Sequence, residues 1–165
     1  MMVSPRNRNL NGYWGGRRVS HTYSQNHIHV VFSTKERRKL IDPQMQPKLW
    51  AYLAGIGRNH GFLVLANGGI ADHVHLLIQL PPALALAKAV LLMKSNSSRW
   101  MNEHGVRFAW QEGYGAFSVS SSNLAAVERY IQNQPAHHRK VTFEEEFLAL
   151  LRKHRIEFDL KYVFG

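Results

Sequence analysis

Eight consecutive residues, His73 to Leu80 (HVHLLIQL), constrain the fold of this chain more than any other stretch. They lie between the turn signal Asn67-Gly68-Gly69 and the double proline Pro81-Pro82. A short apolar run bounded in this way reads as a strand. Side chains alternate across a strand, so Val74, Leu76, Ile78 and Leu80 share one face, and His73, His75, Leu77 and Gln79 share the other. The first face is core. The second begins polar and is expected to lie outside the core, where it can line a site. The spacing predicts Phe62 to Ala66 as the hairpin partner, with the turn at Asn67-Gly68-Gly69.

The flanking segments extend this unit. Ser24 to Thr34 (SQNHIHVVFST) is rich in β-branched and aromatic residues and alternates. It is a strand with His27, His29 and Val31 on one face and Ile28, Val30 and Phe32 on the other. Met45, Leu49, Leu53 and Ile56 have helical spacing, which predicts a helix over Pro43 to Arg58. Asp42 is the expected cap, with Pro47 as an alternative start. Ala83 to Glu103 contains no breaker and reads as a helix ended by Gly105. A last strand is expected over Ala116 to Ser120. A helix capped by Asn123 or Ser122 then runs to Gln132, and another over Thr142 to His154 is opened by the capping box Thr142…Glu145. The order β-α-β-β-α-β followed by C-terminal helices predicts an α+β, ferredoxin-like antiparallel sheet with helices on one face.

Composition narrows the partner. With 165 residues, one domain is expected over 21–165, preceded by a basic, Asn- and Gly-rich arm at 1–20 that reads as flexible. The chain has 21 Lys and Arg against 11 acidic residues, a net charge of +10 and no cysteine. Such an excess suits nucleic acid, because neutralised phosphates release counterions. The absence of cysteine excludes thiolate metal sites and fits a reducing cytoplasm. No apolar run is long enough to span a membrane.

Residues i and i+2 on a strand share a face, so His73 and His75 can converge on one ion. An isolated H-x-H is more often two ordinary histidines, and His27-Ile28-His29 is a second such pair in this chain. Two imidazoles also leave a metal short of ligands. Tyr130 and Gln134 are four residues apart, the spacing of neighbours on a helix face. A boundary tyrosine and a solvated glutamine would have the same spacing, and Pro135 places Gln134 at a frayed end. Tyr114 is the rival nucleophile. Asp72 or Glu112 could reach a metal. His137-His138 reads as a solvated or DNA-facing pair, with a second metal site as the alternative. Arg37, Arg38, Lys88, Lys94, Arg99, Arg139 and Lys140 are candidates for phosphate contacts.

Taken together, "HVVFSTKERRKLI", "DHVHLLIQLPP", "KSNSSRWMNEHG" and "FAWQEGYGAFSVSSSNLAAVERYIQNQPAHHRKVTFEEEFLALL" resemble the small single-tyrosine HUH transposases of bacterial insertion sequences, including their REP-associated relatives. The resemblance covers about Tyr23 to Leu151. It implies a DNA transposase that cleaves and rejoins single-stranded DNA through a 5′-phosphotyrosine. It assigns Tyr130 as the catalytic tyrosine, and His73, His75 and Gln134 as the metal residues for Mg²⁺ or Mn²⁺. It further implies hairpin-bearing element ends as substrate, a homodimer, and a DNA-associated bacterial cytoplasmic location. Exposed edge strands favour such pairing, and the apolar first strand is the expected edge. A non-catalytic or domesticated nucleic-acid binder on the same fold is the alternative.

Overall fold

Four alternating segments pair into one antiparallel sheet: β1 (Asn26–Ser33), β2 (Leu63–Ile70), β3 (His73–Leu80) and β4 (Gly115–Ser118), in the spatial order β2-β3-β1-β4. The helices are α1 (Gln46–Asn59), α2 (Leu86–Glu103), α3 (Leu124–Gln132), the short α4 (Gln134–His137) and α5 (Phe143–Lys153). This computed structural model describes residues 22–164, and the arm expected at 1–20 lies outside them. The order and pairing are those of the expected ferredoxin-like sheet.

Both faces of the sheet are covered. Val30, Phe32, Val74, Leu76 and Ile78 pack under α1 and α2, against Leu49, Leu53, Val90 and Met93. On the opposite face, Leu77 and Ala66 pack against Ile131 of α3, and Val31 and Phe117 against Phe143 and Leu151 of α5. The histidine face of β3 is therefore interior, contrary to expectation: His73 and His75 are each 0% exposed.

The β2–β3 turn is also displaced from its expected place. Asn67, Gly68 and Gly69 are strand residues, and the chain reverses at Ala71 and Asp72. The glycines mark a close approach of other backbone rather than a turn. A Cβ on Gly68 would lie 2.2 Å from the carbonyl oxygen of Ile131, so a bare strand backbone lets α3 settle onto the sheet. β1 lies inside the sheet between β3 and β4, so the open edges are β2 and β4 and the expected edge role of β1 is corrected.

Helix ends follow local chemistry. Asp42 Oδ1 accepts from Gln44 N at 2.8 Å and its carbonyl from Gln46 N at 3.0 Å, forming a turn ahead of α1, which starts at Gln46 with Pro47 in its first turn. Gly105, at φ 81°, follows α2 as expected. Neither Asn123 nor Ser122 caps α3 through its side chain; a 3₁₀ turn at Ser121–Asn123 leads into it. Thr142 and Glu145 form the full capping box of α5.

Candidate metal and tyrosine site

Four elements deliver side chains to one buried point. β3 supplies His73 and His75, and α3 supplies Tyr130. The next turn, α4, supplies Gln134, followed by His137 and His138. Pro135 tolerates the first turn of a helix, so the chain starts α4 afresh at Gln134 rather than fraying, and Gln134 is fully buried. α5 supplies Glu146, which is 3% exposed.

Glu146 is the centre of the cluster. Its Oε1 accepts a hydrogen bond from the Tyr130 hydroxyl and one from Gln134 Nε2 at 3.0 Å. Its Oε2 accepts from His75 Nε2 at 3.1 Å and from His138 Nε2 at 3.0 Å, and lies 3.8 Å from His73 Nε2. His137 Nε2 is buried 3.3 Å from Oε1 and makes no hydrogen bond. Because Gln134 Nε2 is turned to Glu146, its Oε1 faces His73 Nε2 at 3.2 Å.

Burial opposes charge at His29, His75, Tyr130, His138 and Glu146; it prevails at the first three, and neighbours outweigh it at the last two. Burial pushes His75 down to about 4, against the pull of Glu146, and His29 down to about 3, aided by His75. Both rings are neutral near pH 7. Burial alone would raise the Glu146 carboxyl, but hydrogen bonds from His138, His75 and Tyr130 outweigh it and hold the group well below the usual carboxylate range. Burial followed by the Glu146 hydrogen bond and charge raises Tyr130 well above an ordinary phenol. For His138 burial works against charge, but the Glu146 bond and charge more than offset it, so its pKa is raised.

The donor set fits a divalent cation. The ligating atoms of His73, His75, His138 and Glu146 lie within 4.8 Å of one another. The far side of each ring is oriented: His73 Nδ1 by Asp72 Oδ1 at 2.6 Å, His138 Nδ1 by the Val141 carbonyl at 2.8 Å, and His75 Nδ1 by His29 Nε2 at 2.8 Å. Metal-binding histidines are held in this way, which fixes the tautomer and aims Nε2 at the ion. His73 donates from Nδ1 to Asp72, and its Nε2 and the Gln134 oxygen, both able to face a cation, lie 3.2 Å apart.

The structure brings Tyr130, His73, His75 and Gln134 of one chain together. It adds His138 and Glu146, which sequence reasoning did not place there. For Glu146 a signal existed: it lies three residues after Phe143 and four before Leu150, on the apolar stripe of α5. The acidic run Glu144-Glu145-Glu146 masked it as an ordinary first turn of a helix. Asp72 orients His73, whereas Glu112 and Tyr114 line a different, aromatic cavity with Phe147, Tyr162 and Phe164. Among the phosphate candidates, Lys94 is tied to the carbonyls of Gln111 and Gly113, and Arg37 to Glu144 and the Phe164 carbonyl. Lys88, Arg139 and Lys140 are exposed, as are Arg38, paired with Glu36, and Arg99, bonded to Asn96.

The chain is similar to known transposases in sequence and in fold. The chain is 25% identical over 124 residues to the transposase for insertion sequence element IS200 of Salmonella typhimurium, covering 70% of this chain and 81% of that one. It is 25% identical over 114 residues to the ISDra2 transposase TnpA of Deinococcus radiodurans, covering 64% and 81%. A crystal structure from Deinococcus radiodurans shares the fold at a TM-score of 0.57 and 24% identity, over 72% of this chain and 98% of that one. A REP-associated tyrosine transposase bound to a REP hairpin does so at 0.56 and 18%, over 76% of each. The family described as "Transposase IS200 like" matches residues 22–134, which contain β1 to β4, Tyr130 and Gln134 and stop short of His138 and Glu146. With most of its described length inside that match, the chain belongs to the IS200-like transposase family.

Proposed function

We propose that this transposase cleaves and rejoins single-stranded DNA through a covalent bond to Tyr130, with a divalent cation, Mg²⁺ or Mn²⁺, held by His73, His75 and Gln134. The observation that carries this reading is the meeting of the Tyr130 hydroxyl with the Nε2 atoms of both histidines around one buried carboxylate. These groups come from elements far apart in sequence, and packing alone needs no such convergence. When bound, the cation neutralises and polarises the scissile phosphate.

The chain's own residues do the rest. Tyr130 Oη attacks phosphorus, the bond from phosphorus to the 3′ oxygen breaks, and the 3′ oxygen leaves to become a hydroxyl. The product is a 5′-phosphotyrosine that retains the phosphodiester energy, so a new 3′-OH can reverse the step without ATP. Glu146 Oε1 already accepts the Tyr130 hydroxyl proton in a hydrogen bond. It stands where that proton must go as the new bond forms, and from where it returns on rejoining. Arg38, Lys88, Arg99, Arg139 and Lys140 are exposed cations suited to the phosphate backbone. Hairpin-bearing ends are the proposed substrate, supported by the hairpin bound to one structural relative. A homodimer is proposed through the open edges β2 or β4.

The test is incubation with single strands from the flanks of the gene, followed by detection of a covalent adduct. Adducts are expected with Mn²⁺ or Mg²⁺ and with Tyr114→Phe, and none with Tyr130→Phe or excess chelator. Tyr130→Phe should retain DNA binding, because the hydroxyl is needed only for bond formation. Adducts formed by Tyr130→Phe, or full activity in chelator, overturn the reading.

A further inference from the structure

The proposed chemistry gives no task to the histidines of the first strand. One of them, His29, is 4% exposed and lies beside the site. Its Nε2 is 2.8 Å from His75 Nδ1, and the two rings stack with centroids 5.1 Å apart. The register dictates this contact. His29 pairs with Leu77, and His75 pairs with Val31, so the two histidines are diagonal neighbours on one face of adjacent strands.

The three imidazoles of the cluster differ in what holds their Nδ1 atoms. Asp72 holds His73 and the Val141 carbonyl holds His138. Carboxylate and carbonyl oxygens only accept, so both rings carry a proton on Nδ1, and His138 donates a second one from Nε2 to Glu146. His75 instead faces another imidazole, which can either donate or accept. While His75 Nε2–H donates to Glu146, its Nδ1 is a lone pair and accepts from His29 Nε2–H. A cation can take only an unprotonated Nε2. His75 must then carry its one proton on Nδ1 and donate it to His29 Nε2.

We infer that His29 is a positioning residue for the metal, which acts by accepting a hydrogen bond from His75 Nδ1 and so exposing the His75 Nε2 lone pair. The protons balance. His75 Nε2 releases one, the proton between the rings passes from His29 Nε2 to His75 Nδ1, and His29 Nδ1 takes one up. Both rings stay neutral throughout. His29 also lines a cavity of about 570 Å³, with Ser118, Asn123 and His154, through which water can supply that proton. His75 is thus the one ring of the three whose readiness to ligate depends on a neighbour able to change its hydrogen-bonding role.

This inference rests on the metal reading, and the experiment separates the two. Metal-free wild type, His29→Leu and His29→Gln are titrated with Mn²⁺ by calorimetry. Leucine removes the acceptor, whereas glutamine can return a carbonyl oxygen near the Nε2 position. Loss of such an orienting partner typically weakens binding by about 10–100-fold. That loss is expected for His29→Leu, with most of it recovered in His29→Gln. In parallel, NMR of isotope-labelled histidines in the wild type should find the His75 proton on Nε2 without metal and on Nδ1 with Mg²⁺. If the wild type binds neither ion, the metal reading fails and this inference fails with it. If the wild type binds and His29→Leu binds equally well, the His29 role alone is overturned. An unchanged His75 tautomer on metal addition overturns it equally, and that measurement decides should His29→Leu not fold.

Discussion

Replacing Gly68 by alanine tests whether the close seating of α3 on the sheet sets the position of Tyr130. Gly68 has ordinary strand backbone angles, since it is absent from the positive-φ glycines, so alanine meets no conformational barrier there. The cost is spatial. The new Cβ would lie 2.2 Å from the Ile131 carbonyl oxygen, where real Cβ contacts essentially never fall under 3.0 Å, so α3 must retreat by about 0.8 Å. Ile131 is the residue after Tyr130, and the displacement passes directly to the nucleophile. Misplacing a reacting group by about 1 Å costs on the order of 10²-fold in rate. Overpacking costs about 1–3 kcal/mol of stability. Gly68→Ala should therefore slow adduct formation about 10–100-fold and lower the urea midpoint. Gly55→Ala in α1 is the control. Its Cβ meets nothing closer than the Arg58 side chain at 3.7 Å. Alanine there should raise stability by about 0.5–1 kcal/mol, because glycine disfavours a helix interior. Initial adduct rates and urea denaturation on both variants measure the two effects. A Gly68→Ala protein with wild-type rate and stability would refute the claim that this contact places the tyrosine.

Burial and then Glu146 raise Tyr130, so in Glu146→Gln ring-labelled tyrosine NMR should show a Tyr130 pKa below the wild-type value, still held above an ordinary phenol by burial. Stability should drop by about 1–3 kcal/mol as charge-assisted bonds are lost; an unchanged pKa breaks the assigned Tyr130–Glu146 contact. Stability of the metal-free protein should depend on pH through His29 and His75, whose folded values of about 3 and about 4 lie below the ordinary 6.5. The unfolded chain takes up these protons first, so the stability is intact above about 6.5 and is lost as pH falls toward 4 and then 3. At about 1.4 kcal/mol per unit, the loss amounts to several kcal/mol. Urea midpoints that stay level between pH 7 and 4 would contradict it. Affinity for single strands should fall with salt at about −0.7 in log–log slope per neutralised phosphate, and a flat plot argues against nucleic acid as partner. Sedimentation that finds only monomer at micromolar concentration removes the proposed dimer.

Local pattern was enough for much of this protein. The alternation of 24–34 and 73–80, the helical spacing of 45–56 and the Thr142…Glu145 box each express a period or a hydrogen bond between near neighbours, and neither needs the rest of the fold. The pair His73 and His75 follows from strand geometry alone, and their joint occurrence with Tyr130 and Gln134 pointed to the family. What no local pattern contains is which face of a strand a later helix will cover. The polar face of β3 is interior because α3 and α5 pack over it, so His73 and His75 are buried and their Nε2 atoms converge there. Gly68 looked like a turn because a glycine serving a bend and one serving a close backbone approach are identical in sequence, and only Ile131 on α3 tells them apart. Glu146 and His138 joined the site for the same reason. A carboxylate in a helix first turn is ordinarily solvated, and only the docking of α5 against β3 makes this one the shared acceptor of a tyrosine, a glutamine and two histidines.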